Sequence, residues 1–168
     1  MAKYLEQFQG VQREVIANVT SAGAGDSGKI VSLDGTGRID SSMMPVGIGA
    51  DTQSIQASEA LAAGDFVNIY NLTGASRARK ADATVAGKQA DGFVLAAVAN
   101  AAQALVYLEG TNTLVTGQTP GPVYCAVTPG QAITAPGPLA AGNISQQIGV
   151  ATSPTTINFS RSNPVTLA

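Results

Sequence analysis

The stretch Ala63-Gly64-Asp65-Phe66-Val67-Asn68-Ile69-Tyr70-Asn71-Leu72-Thr73-Gly74-Ala75-Ser76-Arg77-Ala78-Arg79-Lys80-Ala81 decides the fold class. Turn signals stand before it at Ala63-Gly64-Asp65 and inside it at Leu72-Thr73-Gly74. Between them Phe66–Asn71 and Ser76–Ala81 read as two short strands. The same texture continues in both directions from Asp51 to the end. Strands are expected at Thr52–Ala57, Gly92–Ala97, Ala104–Glu109, Thr113–Thr116, Val123–Val127, Ala132–Ala135, Gln146–Ala151 and Thr155–Ser160. Gly117 through Pro122, Pro129-Gly130, Pro136-Gly137-Pro138 and Ala141-Gly142-Asn143 punctuate them. Such spacing indicates an all-β, compact barrel or sandwich of small strands. Ser58–Ala63 has the composition of one helical turn, and Val98–Ala102 that of a tight connection.

Composition agrees. Valine and isoleucine number 25 and threonine 15 against 10 leucines, and glycine plus proline reach 27 of 168 residues. That balance favours strands and turns over helices. At this length one domain, with or without an appended arm, builds a core without staples.

Residues 1–50 differ in texture, and the chain is expected to divide there into an N-terminal arm (1–50) and a β-rich oligomerising domain (51–168). Tyr4, Phe8, Val11, Val15 and Val19 fall at helical spacing. Gly10 and the β-branched pairs Val15-Ile16 and Val19-Thr20 argue instead for a hairpin, Tyr4–Gln9 and Val11–Ala17. Ser21–Gly28 is a small-residue loop. Lys29–Leu33 and Arg38–Asp40 read as a second hairpin turning at Asp34-Gly35. Ser41 to Ala50 is apolar but too rich in Gly and Pro to be regular. Its Met43, Met44, Val46 and Ile48 require burial, on the protein's own core or on a neighbour.

Charge and special residues exclude much. Histidine and tryptophan are absent and Cys125 is the single cysteine. Imidazole catalysis, histidine metal sites and intramolecular disulfides are thereby ruled out. Cys125 sits in the strand-like Val123–Val127, as a buried inert thiol would. Net charge is −2, so no nucleic-acid partner is expected. No apolar run approaches the roughly 20 residues of a membrane span, so no membrane partner is expected. The amino terminus lacks a secretory pattern, and synthesis in a reducing cytoplasm follows. After Glu109 the last 59 residues carry one charged side chain, Arg161. Surfaces ordinarily carry about 25–35% charge, so this half is expected to meet other protein subunits, with a surface of neutral polar residues as the plainer alternative.

Motifs that suggest chemistry fail on inspection. Gly23 to Lys29 satisfies the phosphate-loop spacing, but Ile30 stands where the magnesium-binding hydroxyl is required and no helix follows. Gly25-Asp26-Ser27-Gly28 resembles the nucleophile motif of chymotrypsin-like proteases but has no histidine base. The carboxylates are scattered singly, without pairing for acid–base work or metal spacing. Arg77, Arg79 and Lys80 form the one basic cluster. With no interleaved aromatics it reads as a solvated strand or a contact with an acidic neighbour rather than a phosphate site. No enzyme activity, cofactor, metal or small-molecule substrate is expected.

Two stretches carry a family resemblance. Ser21-Ala-Gly-Ala-Gly-Asp-Ser-Gly-Lys-Ile-Val-Ser-Leu-Asp-Gly-Thr-Gly-Arg-Ile-Asp-Ser-Ser-Met-Met-Pro45 resembles a segment common in virion proteins of tailed bacteriophages, on capsid surfaces and in tail fibres. Ala60-Leu-Ala-Ala-Gly-Asp-Phe-Val-Asn-Ile-Tyr70, Arg79-Lys-Ala-Asp-Ala-Thr84, Ala90-Asp-Gly-Phe-Val94 and Thr119-Pro-Gly-Pro-Val-Tyr124 are similar to small head decoration (cement) proteins and head-fibre bases. The resemblance implies a β-tulip-like subunit with an extended N-terminal arm, assembled as a homotrimer on the outer surface of the virion capsid. The major capsid protein is then its partner and shell stabilisation its function. The docking residues would be Met43, Met44, Pro45, Val46 and Ile48. A structural module of a tail fibre or baseplate is the alternative, though the chain is short for a fibre and lacks heptads.

Overall fold

The computed structural model describes residues 3–44, 51–136 and 139–168. The chain divides into two compact units, Met1–Gly49 and Ala50–Ala168. Of the described residues 43% are strand and 4% helix, and the fold is all-β.

In the first unit β1 (Lys3–Phe8) and β2 (Val11–Ile16) form an antiparallel hairpin in which Phe8 faces Val11. Gln9 and Gly10 make its two-residue turn with φ of 51° and 80°, the left-handed pair that matches strand twist. The expected second hairpin does not form a ladder. The Asp34 carboxylate instead accepts the N–H groups of Thr36 at 2.8 Å and Arg38 at 3.0 Å, together with the Thr36 hydroxyl at 2.7 Å. A side chain that satisfies nearby N–H groups competes with strand pairing. Ile30 and Ser32 are held by Asn18, whose N–H donates to the Ile30 carbonyl at 2.9 Å and whose carbonyl accepts from Ser32 at 2.8 Å.

The second unit has two layers. Its barrel comprises β3 (Thr52–Ala57), β4 (Phe66–Leu72), β5 (Ala75–Lys80), β6 (Gly92–Val94) and β7 (Gln103–Tyr107). The strands close in the order β3-β5-β4-β6-β7, with β3 parallel to β5 and antiparallel to β7. Next come β8 (Gly110–Asn112), β9 (Gly121–Cys125), β10 (Ala132–Ile133), β11 (Ile144–Ser145), β12 (Gln147–Ser153), β13 (Thr156–Phe159) and β14 (Val165–Thr166). Five of these make an antiparallel sheet in the order β10-β9-β12-β13-β8, and β11 pairs with β14. Thr113–Thr116 is not a strand. Buried Asn112 ends β8 by accepting the Leu114 N–H at 3.1 Å and donating to the Gly64 carbonyl at 2.8 Å. Ser58–Ala63 is not helical; the Glu59 carboxylate reaches across to the Lys80 N–H at 2.7 Å.

Two apolar clusters follow from strand alternation. Ile55, Val67, Ala78, Val94, Ala104 and Val106 fill the barrel. Phe66 and Phe93, one position away on the same strands, point out of it. They pack with Val123, Ile148, Ile157 and Phe159 of the sheet. Phe93 lies 6.4 Å from Phe66, 5.7 Å from Phe159 and 5.3 Å from Tyr107, ring centre to ring centre. Strands β4 and β6 are therefore buried on both faces where they run under the sheet. Gly149, at a register shift in β12 with φ of 147°, admits no side chain because a Cβ would fall on the Asn158 carbonyl.

Phe93→Ala removes the ring common to these contacts. It should lower unfolding stability by about 3–5 kcal/mol, the cost of a large core truncation. Half-exposed Phe8→Ala in the hairpin should cost less than about 1 kcal/mol. Urea denaturation of the two variants checks the contrast, and equal losses would refute the shared-wall packing.

Candidate docking surface

The two units bury their apolar residues very differently. Among the described residues Ala17 is the only buried apolar side chain of the first unit; the others all belong to the second. Yet the first unit contributes nine of the sixteen large apolar side chains that stand exposed. They are not scattered at random. The hairpin register places Tyr4, Glu6 and Phe8 opposite Val15, Arg13 and Val11 on one face. Leu5 and Ile16 lie on the other. Leu5 is 72% exposed, Val11 67%, Phe8 50% and Ile16 49%. Both faces of a two-stranded hairpin thus present apolar groups to solvent, and such a hairpin is marginal by itself in water.

Ion pairs frame these groups. Lys3 meets Glu14 at 2.6 Å, Arg13 meets Glu6 at 3.0 Å, and the Arg13 guanidinium lies 4.6 Å from the centre of the Phe8 ring. All four charges are exposed, so the pairs add little stability. They leave the hairpin electrically neutral, with its apolar groups open.

Of the expected docking residues, Met43 is half-buried and Met44 exposed; Pro45, Val46 and Ile48 lie outside the described residues. Met43 ends a 3-10 turn, Ser41–Met43, capped by the Asp40 side chain on the Ser42 N–H at 2.9 Å. It lines a cavity of about 170 Å³ with Asn18, Ser21, Asp26, Lys29 and Val31. Met43 therefore packs within its own unit, while Met44 is available. The hairpin expected at Tyr4–Gln9 and Val11–Ala17 forms as β1 and β2, but Leu5, Val11 and Ile16 were missed as surface groups because the sequence does not mark whether another element covers the hairpin. Strand alternation keeps Tyr4, Phe8, Val11 and Val15 on one face and puts Leu5 and Ile16 on the other.

The phosphate-loop look-alike has its donors occupied. Asp26 accepts the Ala22 N–H at 2.6 Å and the Lys29 ammonium at 2.8 Å, the groups an anion would need. The 3-10 turn Ala24–Asp26 opens no helix. Two of the three residues of the basic cluster are likewise engaged, Arg77 reaching only the carbonyl of its neighbour Ser76. Arg79 donates to Asn68 Oδ1 at 2.9 Å and stacks 4.1 Å from the centre of the Tyr70 ring, and Lys80 lies 3.5 Å from Asp65. Asn68 in turn donates to buried Asp91, which also accepts from the Ile69 N–H and from Arg161 at 2.7 Å. That carboxylate accepts three hydrogen bonds and ties Arg161 to the residue before β6. Cys125 is buried, and loss of solvation, aided by the Asp82 charge, pushes its thiol up to about 12; it is unreactive at neutral pH. Among the described residues no group of three or more His, Cys, Asp or Glu is placed to hold a metal ion.

Three aspartates hold the loops of the first unit, and all are shifted below the ordinary value of 3.8: Asp26, Asp34 and Asp40. Asp26 falls to about 2, chiefly through Lys29 and then the Ala22 N–H. A carboxylate depressed in the folded state stabilises above its unfolded pKa and ceases to do so as pH falls through the folded one. The loop at Ser21–Lys29 should therefore hold above pH 3.8 and open as pH drops toward 2. An NMR titration should place the Asp26 carboxyl midpoint near 2; a midpoint at 3.8 or above would remove the clasp.

No family model, no curated protein and no solved structure matches the chain.

Proposed function

We propose that the protein is a structural component of a tailed-bacteriophage virion. In this reading it is a decoration protein that binds the outer capsid surface through its first unit, stabilises the shell and assembles as a homotrimer. The observation that carries the reading is the hairpin β1–β2, apolar and exposed on both faces, in a unit with one buried apolar residue among those described. Such a unit has surface to offer a partner and little core of its own. Fully burying an apolar side chain of this size contributes about 1.5–3 kcal/mol. Leu5, Phe8, Val11 and Ile16 together provide an anchor of the kind that dominates protein interfaces. Met44 adds an adaptable contact.

The resemblance of Ser21–Pro45 and Ala60–Tyr124 to virion proteins supplies the partner, the major capsid protein. The role is mechanical rather than catalytic. Asp91 and Asp34 each accept three hydrogen bonds and Asp26 two, from groups of this chain rather than from a substrate. The second unit carries its own apolar core, as a rigid subunit bracing neighbouring shell proteins requires.

Leu5→Asp combined with Val11→Asp places carboxylates in the contact and should weaken binding to undecorated shells at least tenfold. The circular dichroism and melting of the second unit should be unchanged. Co-sedimentation with shells measures the first and thermal denaturation the second. Met44→Asp should weaken binding less. Unchanged binding in both variants would move docking out of the first unit. Particle density on the tail rather than the shell, seen by electron microscopy, would replace the decoration role by that of a fibre or baseplate module.

A further inference from the structure

We infer that the outward face of the sheet β10-β9-β12-β13-β8 is a self-association surface whose occupant is a second copy of this chain. The inference rests on the homo-oligomer in the reading above, not on the capsid.

Register and burial define the face. Val123 and Cys125 of β9, Ile148 and Ala151 of β12, and Ile157 and Phe159 of β13 point inward and are buried. The intervening positions point outward. Ile133 stands opposite Tyr124, Val150 opposite both Pro122 and Asn158, and Asn158 opposite Thr111. Val150, in the middle strand, is 44% exposed. None of these side chains is charged.

The neutrality extends beyond the strands. Among the described residues between Gly110 and Ser160, 25 are exposed, and not one is Asp, Glu, Lys or Arg. An ordinary surface of that size would carry roughly six to nine charges. The one later charge, Arg161, is drawn to Asp91 at 2.7 Å. A stable interface occupies about 20–30 residues a side, and the 25 exposed residues of these strands and their connecting loops match that number.

Charge also selects the occupant. A partner of unlike composition is steered and specified by complementary charges, and this face has none to offer. A second copy meets it without like-charge repulsion. Gln147, Asn158 and Thr111 each both donate and accept, so they can pair with neutral groups of their own kind. Thr111 already donates to Asn158 at 2.8 Å. The contact is face to face rather than edge to edge. The edge strands β8 and β10 are three and two residues long, too short to template a continuous ladder.

The test is sedimentation equilibrium of the full chain and of Val150→Arg, with Asn158→Lys as a second variant if the first fails to fold. Wild type should sediment as a multiple of 16.9 kDa. The variant should fall to the single-chain mass, with an unchanged circular dichroism spectrum and shell binding weakened only by the loss of avidity. If wild type is multimeric and both folded variants remain so, the face is not the interface, and the inference fails while the oligomeric reading stands. Variants that stay multimeric but lose shell binding would assign the face to the shell and overturn the inference. A monomeric wild type at tens of micromolar would overturn it together with the homotrimer.

Discussion

The packing of Phe93 against Phe66, Phe159 and Tyr107 is the contact on which the second unit depends. Phe66 and Phe93 belong to the barrel wall, yet their side chains leave the barrel and enter the space beneath the sheet. Their neighbours Val67 and Val94 turn the other way and fill the barrel. Two short strands thus serve two cores at once. The chain can build both layers in about 120 residues only because strand alternation sends successive side chains to opposite sides. A one-residue slip of β4 or β6 would exchange the two sets and ruin both cores together.

Polar groups at the ends of that wall are paired one by one. Asp91, directly before β6, binds Asn68, Ile69 and Arg161. Gln146 offers its amide to Ala90 in both directions, at 2.8 and 3.0 Å, and to the Ser162 carbonyl at 3.1 Å. Both side chains are buried, where an unpaired partner would cost about 1–3 kcal/mol. Each ties the segment after β13 back to the barrel. The last strand, β14, pairs with β11 on the strength of two residues a side, too few to hold without these anchors.

The strands of the second unit were legible because turn residues fall between short β-branched runs. Thr52–Ala57 matches β3 residue for residue, and β4, β5, β9 and β13 match to within a few positions. What misled was side-chain competition with the backbone. Asn112 terminates β8 and denies Thr113–Thr116 a ladder, Asp34 folds its hairpin into a local turn, and Glu59 replaces a helical turn with a long-range cap. Nothing in local composition distinguishes these Asx and Glu residues from ordinary surface ones. The pairing of β11 with β14 was equally hidden, since it joins residues far apart in sequence. The docking surface was half legible. The need of Met43 and Met44 for apolar contact was visible, and so was the hairpin; that Leu5 and Ile16 stay open to solvent on its second face was not, because local pattern does not tell whether another element covers that face.

The two units are held together by different physics, and that difference bears on what each can do. The second unit is built on apolar burial, with ion pairs at the margins of its cores: Arg161 with Asp91, Lys80 with Asp65 and Lys88 with Asp82. The first is built on local polar clasps, in which Asp26, Asp34 and Asp40 each bind N–H groups within four residues of themselves. A clasp of this kind needs no apolar side chain. Leu5, Phe8, Val11 and Ile16 therefore remain outside the unit's own structure, and burying them against another molecule breaks nothing inside it. A hairpin ordered by its turn and register, carrying apolar groups it does not need for itself, loses little further conformational entropy on binding. Preorganisation of that sort would lower the cost of docking a small unit with few buried apolar residues on the rigid surface proposed for it.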